Sequence, residues 1–227
     1  MKFIPIDMAV WPRKPYFEHY LNRVRCTYSM TADIDITLLR AELRQRGMKL
    51  YPSVIYMIAK VVNRHAEFRT CFDSEGRLGL WDRMSPSFTI FHEEDKTFSS
   101  IWTPYEEEFA AFYAGYLHRT SKYENAKQLF PDPDEPPNTF PVSSIPWVNF
   151  TGFNLNIYND GTYSLPIFTM GQYCERDNRI RLPLSVQFHH AVCDGYHAGI
   201  MFNELQELAA DCMNWLTDEQ PRTTGEE

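Results

Sequence analysis

The sequence predicts an α/β protein, a two-layer sandwich in which helices cover a mixed β-sheet. Three observations carry this. Helical and strand periods alternate along the 227 residues without the strict βαβ rhythm of an all-parallel sheet. No glycine-rich dinucleotide or phosphate-loop fingerprint opens any helix. No repeat or linker divides the chain: the sharpest break, PDPDEPPN at 131–138, is too short to separate domains and reads as a surface loop. One domain over residues 1–216 follows, with a polar tail, TDEQPRTTGEE, over 217–227.

The elements are predicted in chain order. KPYFEHYLN (14–22) carries aromatics at helical spacing, and RCTYSMTADI (25–34) has the alternating, β-branched character of a strand. Asp35 is placed to cap the helix ITLLRAELRQRG, and Gly47 to stop it. YPSVIYMIAKVVNRH (51–65) is a largely apolar helix. RTCFDSEGRLGLWD (69–82) reads as a hairpin turning at 74–76, and SFTIFH (87–92) and TFSSIW (97–102) as strands. EEEFAAFYAGYLHRTSKYENA (106–126) is an amphipathic helix whose leading acids suit the positive end of a helix dipole. PWVNFTGFNLNIY (146–158), YSLPIFTMGQY (163–173) and RIRLPLSVQFHH (179–190) are three strand-like runs, and YHAGIMFNELQELAADCMNWL (196–216) is the closing helix.

Composition bounds the function. The chain is 44% hydrophobic and 15% aromatic, enough for a core and an aromatic pocket. A formal charge of −8 without a basic cluster argues against nucleic acid or an anionic membrane as partner. Five cysteines with no CxxC spacing argue for reduced thiols rather than a disulfide framework or structural zinc. MKFIPIDMAVWPRKP lacks the apolar run of a signal peptide, and no stretch approaches the ~20 apolar residues that span a bilayer. The expectation is a soluble, cytoplasmic protein with no membrane partner.

FHHAVCDGYHAG (188–199) is the chemically richest stretch. A strand running into His189 and His190 sends the two rings to opposite faces, so one metal ion cannot take both, and no metal site is predicted. Asp194-Gly195 is also a helix N-cap signal. A third reading makes one histidine a general base, since imidazole titrates near neutral pH and must be held in one tautomer. Spacing alone leaves the cap and base readings open.

HHAVCDG matches the HHxxxDG motif of CoA-dependent acyltransferases. Further blocks extend the resemblance nearly end to end: WPRK (11–14), IDIT (34–37), YPSVIYMIAKVVN (51–63), FTIFHEEDKTFSS (88–100), KQLFP (127–131), SSIPWVNFTGFNLN (143–156) and LPLSVQFHHAVCDGYHAG (182–199). Together they resemble the trimeric chloramphenicol acetyltransferases. The resemblance implies a CoA-dependent acyltransferase fold, an acetyltransferase domain over 1–216, acetyl-CoA as co-substrate and chloramphenicol as acceptor. It also implies antibiotic resistance and a homotrimer with active sites between subunits.

Residue roles come from the same resemblance. His190 is the general base, its ring held by a bond to its own carbonyl, and His189 is structural. Ser143 donates to the tetrahedral oxyanion, with Ser144 its rival by composition. Asp194 pairs with Arg13 to hold the geometry, and Thr169 supports the intermediate. The acceptor wall comprises Tyr20, Tyr28, Phe98, Phe130, Leu155 and Ile167, each of which is by itself equally a core position. Tyr28 adds a hydroxyl where phenylalanine is common in relatives. Tyr173 is an adenine-stacking position, Trp147 a neighbour of the pantetheine channel and Lys49 a phosphate partner. Gln172 stands where some relatives place lysine, which weakens the expected anion binding. Two alternatives stand beside this reading: acetyl transfer to a different hydroxyl or amine, and a non-catalytic trimeric ligand-binding protein.

Overall fold

The computed structural model describes residues 1–157 and 161–216; the polar tail 217–227 lies outside them. Strand β1 (Phe3–Pro5) leads into the short helix α1 (Lys14–Glu18), which widens into a π-type turn over His19–Arg23. Then come β2 (Thr27–Asp35), α2 (Thr37–Gln45) and α3 (Leu50–Arg64). The hairpin is β3 (Thr70–Phe72) with β4 (Leu78–Trp81), followed by β5 (Ser85–His92), β6 (Thr97–Trp102) and α4 (Phe109–Tyr123). The second half holds β7 (Thr139–Ile145), β8 (Ile167–Gly171), β9 (Cys174–Arg176), β10 (Arg179–His189) and α5 (Gly195–Ala210).

Seven strands form the main sheet in the order β2-β10-β8-β7-β5-β6, with β9 paired to β10. Pairings β2–β10, β10–β8 and β5–β6 are antiparallel, while β7 runs parallel to both β5 and β8. The sheet is therefore mixed. Its inner face buries Leu184, Val186, Phe188, Phe168, Val142 and Phe88 against the helices. Helix α3 is the centre of that layer, with Val54, Ile55, Ile58, Val61 and Val62 all buried. Each such side chain contributes ~1.5–3 kcal/mol on leaving water. A separate three-stranded sheet, β1-β4-β3, closes one end.

The predicted stop at Gly47 holds, while the N-cap of α2 is Ile36 rather than Asp35, which lies one residue earlier and holds the first helical residue, Thr37. Asp35 Oδ1 accepts from the Thr37 backbone N–H (3.1 Å) and hydroxyl (2.6 Å), and Gly47 leaves α2 at φ +66°, where a side chain would be strained. Glu106, Glu107 and Glu108 precede α4 rather than occupying its first turn, because the helix begins at Phe109 with Glu108 as N-cap.

The expected strand over 146–158 is not formed; its described part, 146–157, crosses the outer face of the sheet as irregular chain. There the Phe153 carbonyl accepts from Ser185 Oγ (2.7 Å), and Phe150 packs over Gly171 so closely that a Cβ there would lie 2.8 Å from the ring. The strand in this region is instead β7, with Ser143 at register with Thr169.

Candidate active site

Strand β10 ends at His189, and the His190 N–H continues the ladder onto the Cys26 carbonyl (2.9 Å). The chain then turns sharply and enters α5. Arg13 pins this turn with all three nitrogens of its guanidinium. Nε donates to the Ala191 carbonyl (2.9 Å), Nη2 to the His190 carbonyl (3.2 Å), and Nη1 to Asp194 Oδ2 (3.0 Å). Asp194 has a second task as N-cap of α5: Oδ1 accepts from the Tyr196 N–H, while the Asp194 N–H reaches His197 Nδ1. Both readings of Asp194, cap and Arg13 partner, describe the same side chain. Burial pushes its carboxyl pKa up, but the Arg13 bond and the His197 and Arg13 charges outweigh that and leave it below 3.8.

The His190 ring is wedged between aromatics. It stacks on Tyr20 at 3.9 Å with 6° between planes, and Tyr28 meets it edge-on at 5.4 Å. The bond to its own carbonyl that the resemblance implies is not made. Nδ1 is buried with no hydrogen-bond partner among the described residues, and the carbonyl instead takes Arg13 Nη2. Stacking and the clamped turn, rather than that bond, orient the ring. The Tyr28 hydroxyl is likewise buried, which pushes its pKa up.

His189 points the other way, as strand parity requires. Its Nδ1 accepts from the Ala191 N–H (3.1 Å), which leaves Nε2–H to donate to the Gly161 carbonyl (2.9 Å). Burial first, then the neighbouring His190, lowers its pKa. Both nitrogens are used, so His189 is a neutral structural residue. Among the described residues no group of three or more His, Cys, Asp or Glu side chains is arranged to hold a metal.

A second centre lies in the middle of the sheet. Ser143 and Thr169 face each other across β7 and β8 with hydroxyl oxygens 3.1 Å apart. Ser143 edges a groove of about 730 Å³ lined by Tyr51, Phe91, Phe98, Ser144 and Trp147. Trp147 is largely exposed and meets Phe91 edge-on at 4.7 Å. An adjoining cavity of about 400 Å³ shares Tyr51, Ser144 and Pro146 with the groove and leads to Gln172 and Tyr173. Lys49, the N-cap of α3, immediately precedes its lining residue Leu50.

The predicted residues thus fall into two groups within one chain. Arg13, Tyr20, Tyr28, His190 and Asp194 come together. Ser143, Thr169, Phe98, Trp147 and Tyr173 belong to the connected grooves or border them. Phe130 lines a separate cavity, Leu155 is exposed on the 146–157 segment, and Ile167 is buried at the start of β8. Thr169 pairs with Ser185, five positions before His190, which at ~3.4 Å per residue sets the two groups about 17 Å apart along β10. Tyr51, Phe91 and His197 are the site neighbours not singled out from sequence. Only His197 had a signal, its capping-box spacing of three from Asp194.

A family profile described as chloramphenicol acetyltransferase matches residues 1–206. The chain is similar to a chloramphenicol acetyltransferase of Clostridium perfringens, 62% identical over 216 residues and covering 95% of this chain and 99% of that one. It is also similar to one of Clostridium butyricum, 59% identical over the same proportions. Among solved structures it resembles a chloramphenicol acetyltransferase at TM-score 0.78 and 21% identity, covering 92% of this chain and all of that one. It resembles the Azotobacter vinelandii dihydrolipoamide acetyltransferase at TM-score 0.66 and 17% identity, covering 89% and 88%. These structural likenesses establish the fold, that of the CoA-dependent acyltransferases.

Proposed function

The chain belongs to the chloramphenicol acetyltransferase family, and from that premise we propose a mechanism and an assembly for its acetylation of chloramphenicol. Acetyl-CoA is the donor and the primary 3-hydroxyl of the drug is the acceptor. His190 Nε2 takes the hydroxyl proton as that oxygen adds to the thioester carbonyl carbon. Ser143 donates to the oxyanion that forms, with Thr169 in support. Collapse breaks the C–S bond, and the proton passes from the imidazolium to the leaving CoA sulfur. Asp194 and Arg13 hold the base in place and transfer no proton.

Tyr20, Tyr28, Phe98, Phe130, Leu155 and Ile167 form the acceptor wall in this reading, and Tyr173, Trp147 and Lys49 hold CoA. The active assembly is a homotrimer in which His190 of one subunit meets the Ser143 groove of the next. The separation of the two groups along β10 supports this, since neither completes a site alone. Residues 1–216 are the acetyltransferase domain. The protein acts in the cytoplasm, where acetylation removes a hydroxyl donor from the drug and confers resistance. No helix among the described residues is long and apolar enough to cross a membrane.

The observation that carries the mechanism is the Arg13 clamp, which fixes the carbonyls of His190 and Ala191 and leaves the ring stacked and directed. The test is a thiol-release assay with chloramphenicol and acetyl-CoA. Wild-type protein should release CoA only when the drug is present, and His190→Ala should lose several orders of magnitude in kcat while remaining folded. CoA release with another alcohol but not with chloramphenicol would overturn the acceptor; near-normal turnover by His190→Ala would overturn the base.

A further inference from the structure

We propose that Arg40 binds a phosphate of the CoA nucleotide, an inference that rests on acetyl-CoA being the donor. Arg40 lies on α2 with its guanidinium carbon 5.6 Å from the centre of the Tyr173 ring. It makes no ion pair among the described residues, whereas Arg46 pairs with Glu42 (3.5 Å), Arg176 with Asp33 (2.5 Å) and Arg179 with Asp35 (2.6 Å).

Its location gives it a task. Tyr173 is exposed at the mouth of the 400 Å³ cavity, which continues past Ser144 and Pro146 into the Ser143 groove. A ligand entering at Tyr173 with a thin arm reaches the Ser143 hydroxyl from there. A guanidinium stacked on a tyrosine face keeps its N–H edges free, and those edges match phosphate oxygens two at a time. Lys49 stands nearby at the positive end of the 15-residue helix α3, also without an ion pair among the described residues. The opposite lip carries the neutral Gln172. Arg40 therefore supplies a cation that position 172 does not.

The experiment compares acetyl-CoA with S-acetylpantetheine, which has the same thioester arm and no phosphate. Arg40→Ala should raise KM for acetyl-CoA about tenfold, with kcat, KM for chloramphenicol and KM for S-acetylpantetheine unchanged. Arg40→Lys should recover part of the loss. Arg40→Gln, which keeps a polar, unbranched side chain with good helix propensity and removes its charge, repeats the measurement should the alanine variant fold poorly. An equal rise in KM for both donors, or no rise for either, overturns the proposal. Failure of the donor reading itself looks different: wild-type protein would then use acetyl-CoA no better than S-acetylpantetheine.

Discussion

The Tyr20 and His190 rings lie parallel, 3.9 Å apart and 6° from coplanar. Such a contact is worth ~0.5–1.5 kcal/mol beyond the area it buries. Its larger effect is directional, because the imidazole has no hydrogen bond through Nδ1 among the described residues to hold it. Tyr20→Ala should therefore lower kcat, by about tenfold or more, since a displacement near 1 Å at a reacting group costs on the order of 10²-fold. Tyr20→Phe keeps the stack and should keep most of the rate. Steady-state kcat for the two variants, with melting curves to show that both fold, decides this.

Asp194 gives a pH signature. Its carboxyl pKa is lower in the folded protein than its ordinary value of 3.8, because the Arg13 bond and the His197 and Arg13 charges outweigh burial. A depressed carboxyl pKa contributes stability that is complete above the unfolded value and is lost as pH falls through the folded value. The difference in Tm between wild type and Asp194→Asn should thus be constant from neutral pH down to about pH 5 and shrink below 3.8. Arg13→Ala should cost more at neutral pH, about 1–3 kcal/mol, because it also strips two backbone carbonyls of a charged donor. Melts across pH 2–7 test both, and a Tm gap that widened on acidification would contradict the assignment.

Ser143 and Thr169 should behave as a coupled pair. Ser143→Ala is expected to lower kcat by ~10²-fold if its hydroxyl donates to the oxyanion. Thr169→Ala should cost less, and the double variant should cost less than the sum of the two, because their oxygens are 3.1 Å apart and share one hydrogen bond. Ser144, one position along β7, faces the layer that holds Met170, and Ser144→Ala should leave kcat nearly unchanged. A strict double-mutant cycle on kcat measures the coupling; an unaffected Ser143→Ala with a crippled Ser144→Ala would move the donor to the neighbouring serine.

Much of the frame was legible because local signals and tertiary packing agree. Asp35 and Gly47 mark both ends of α2, and the alternation of 179–189 matches the inner row of Leu184, Val186 and Phe188. The 146–157 segment misled because Phe153, Leu155 and Ile157 alternate as in a strand while the segment's backbone serves the side chains beneath it, as Phe153 does for Ser185. Strand β7 was hidden for the opposite reason: Pro141 and two serines depress its strand character, and parallel neighbours on both sides hold it in place. Within the site, strand parity separated His189 from His190. The carbonyl targets of Arg13 are set by a turn whose backbone geometry leaves no trace in residue type.

The separation of His190 from Ser143 yields the test that bears most directly on assembly. The register of β10 with β8 keeps Thr169, and with it Ser143, about five residues from His190 along one strand, ~17 Å in extended chain. No acyl transfer spans that length, and in the proposed trimer the base and the oxyanion donor of one reaction come from different copies. His190→Ala and Ser143→Ala proteins, each carrying its own affinity tag and each nearly inactive alone, should then complement when produced in the same cell. A shared site is whole where an intact His190 from a Ser143→Ala subunit meets an intact Ser143 from a His190→Ala subunit. Random association in a closed ring produces that match at about one site in four. Doubly tagged trimers, which exclude the two single-variant rings, have one whole site among their three and should show roughly a third of the wild-type rate per site, far above the average of the two parents. A mixed assembly no more active than that average would mean that each chain carries its own complete site, and the subunit-interface mechanism would fall with it.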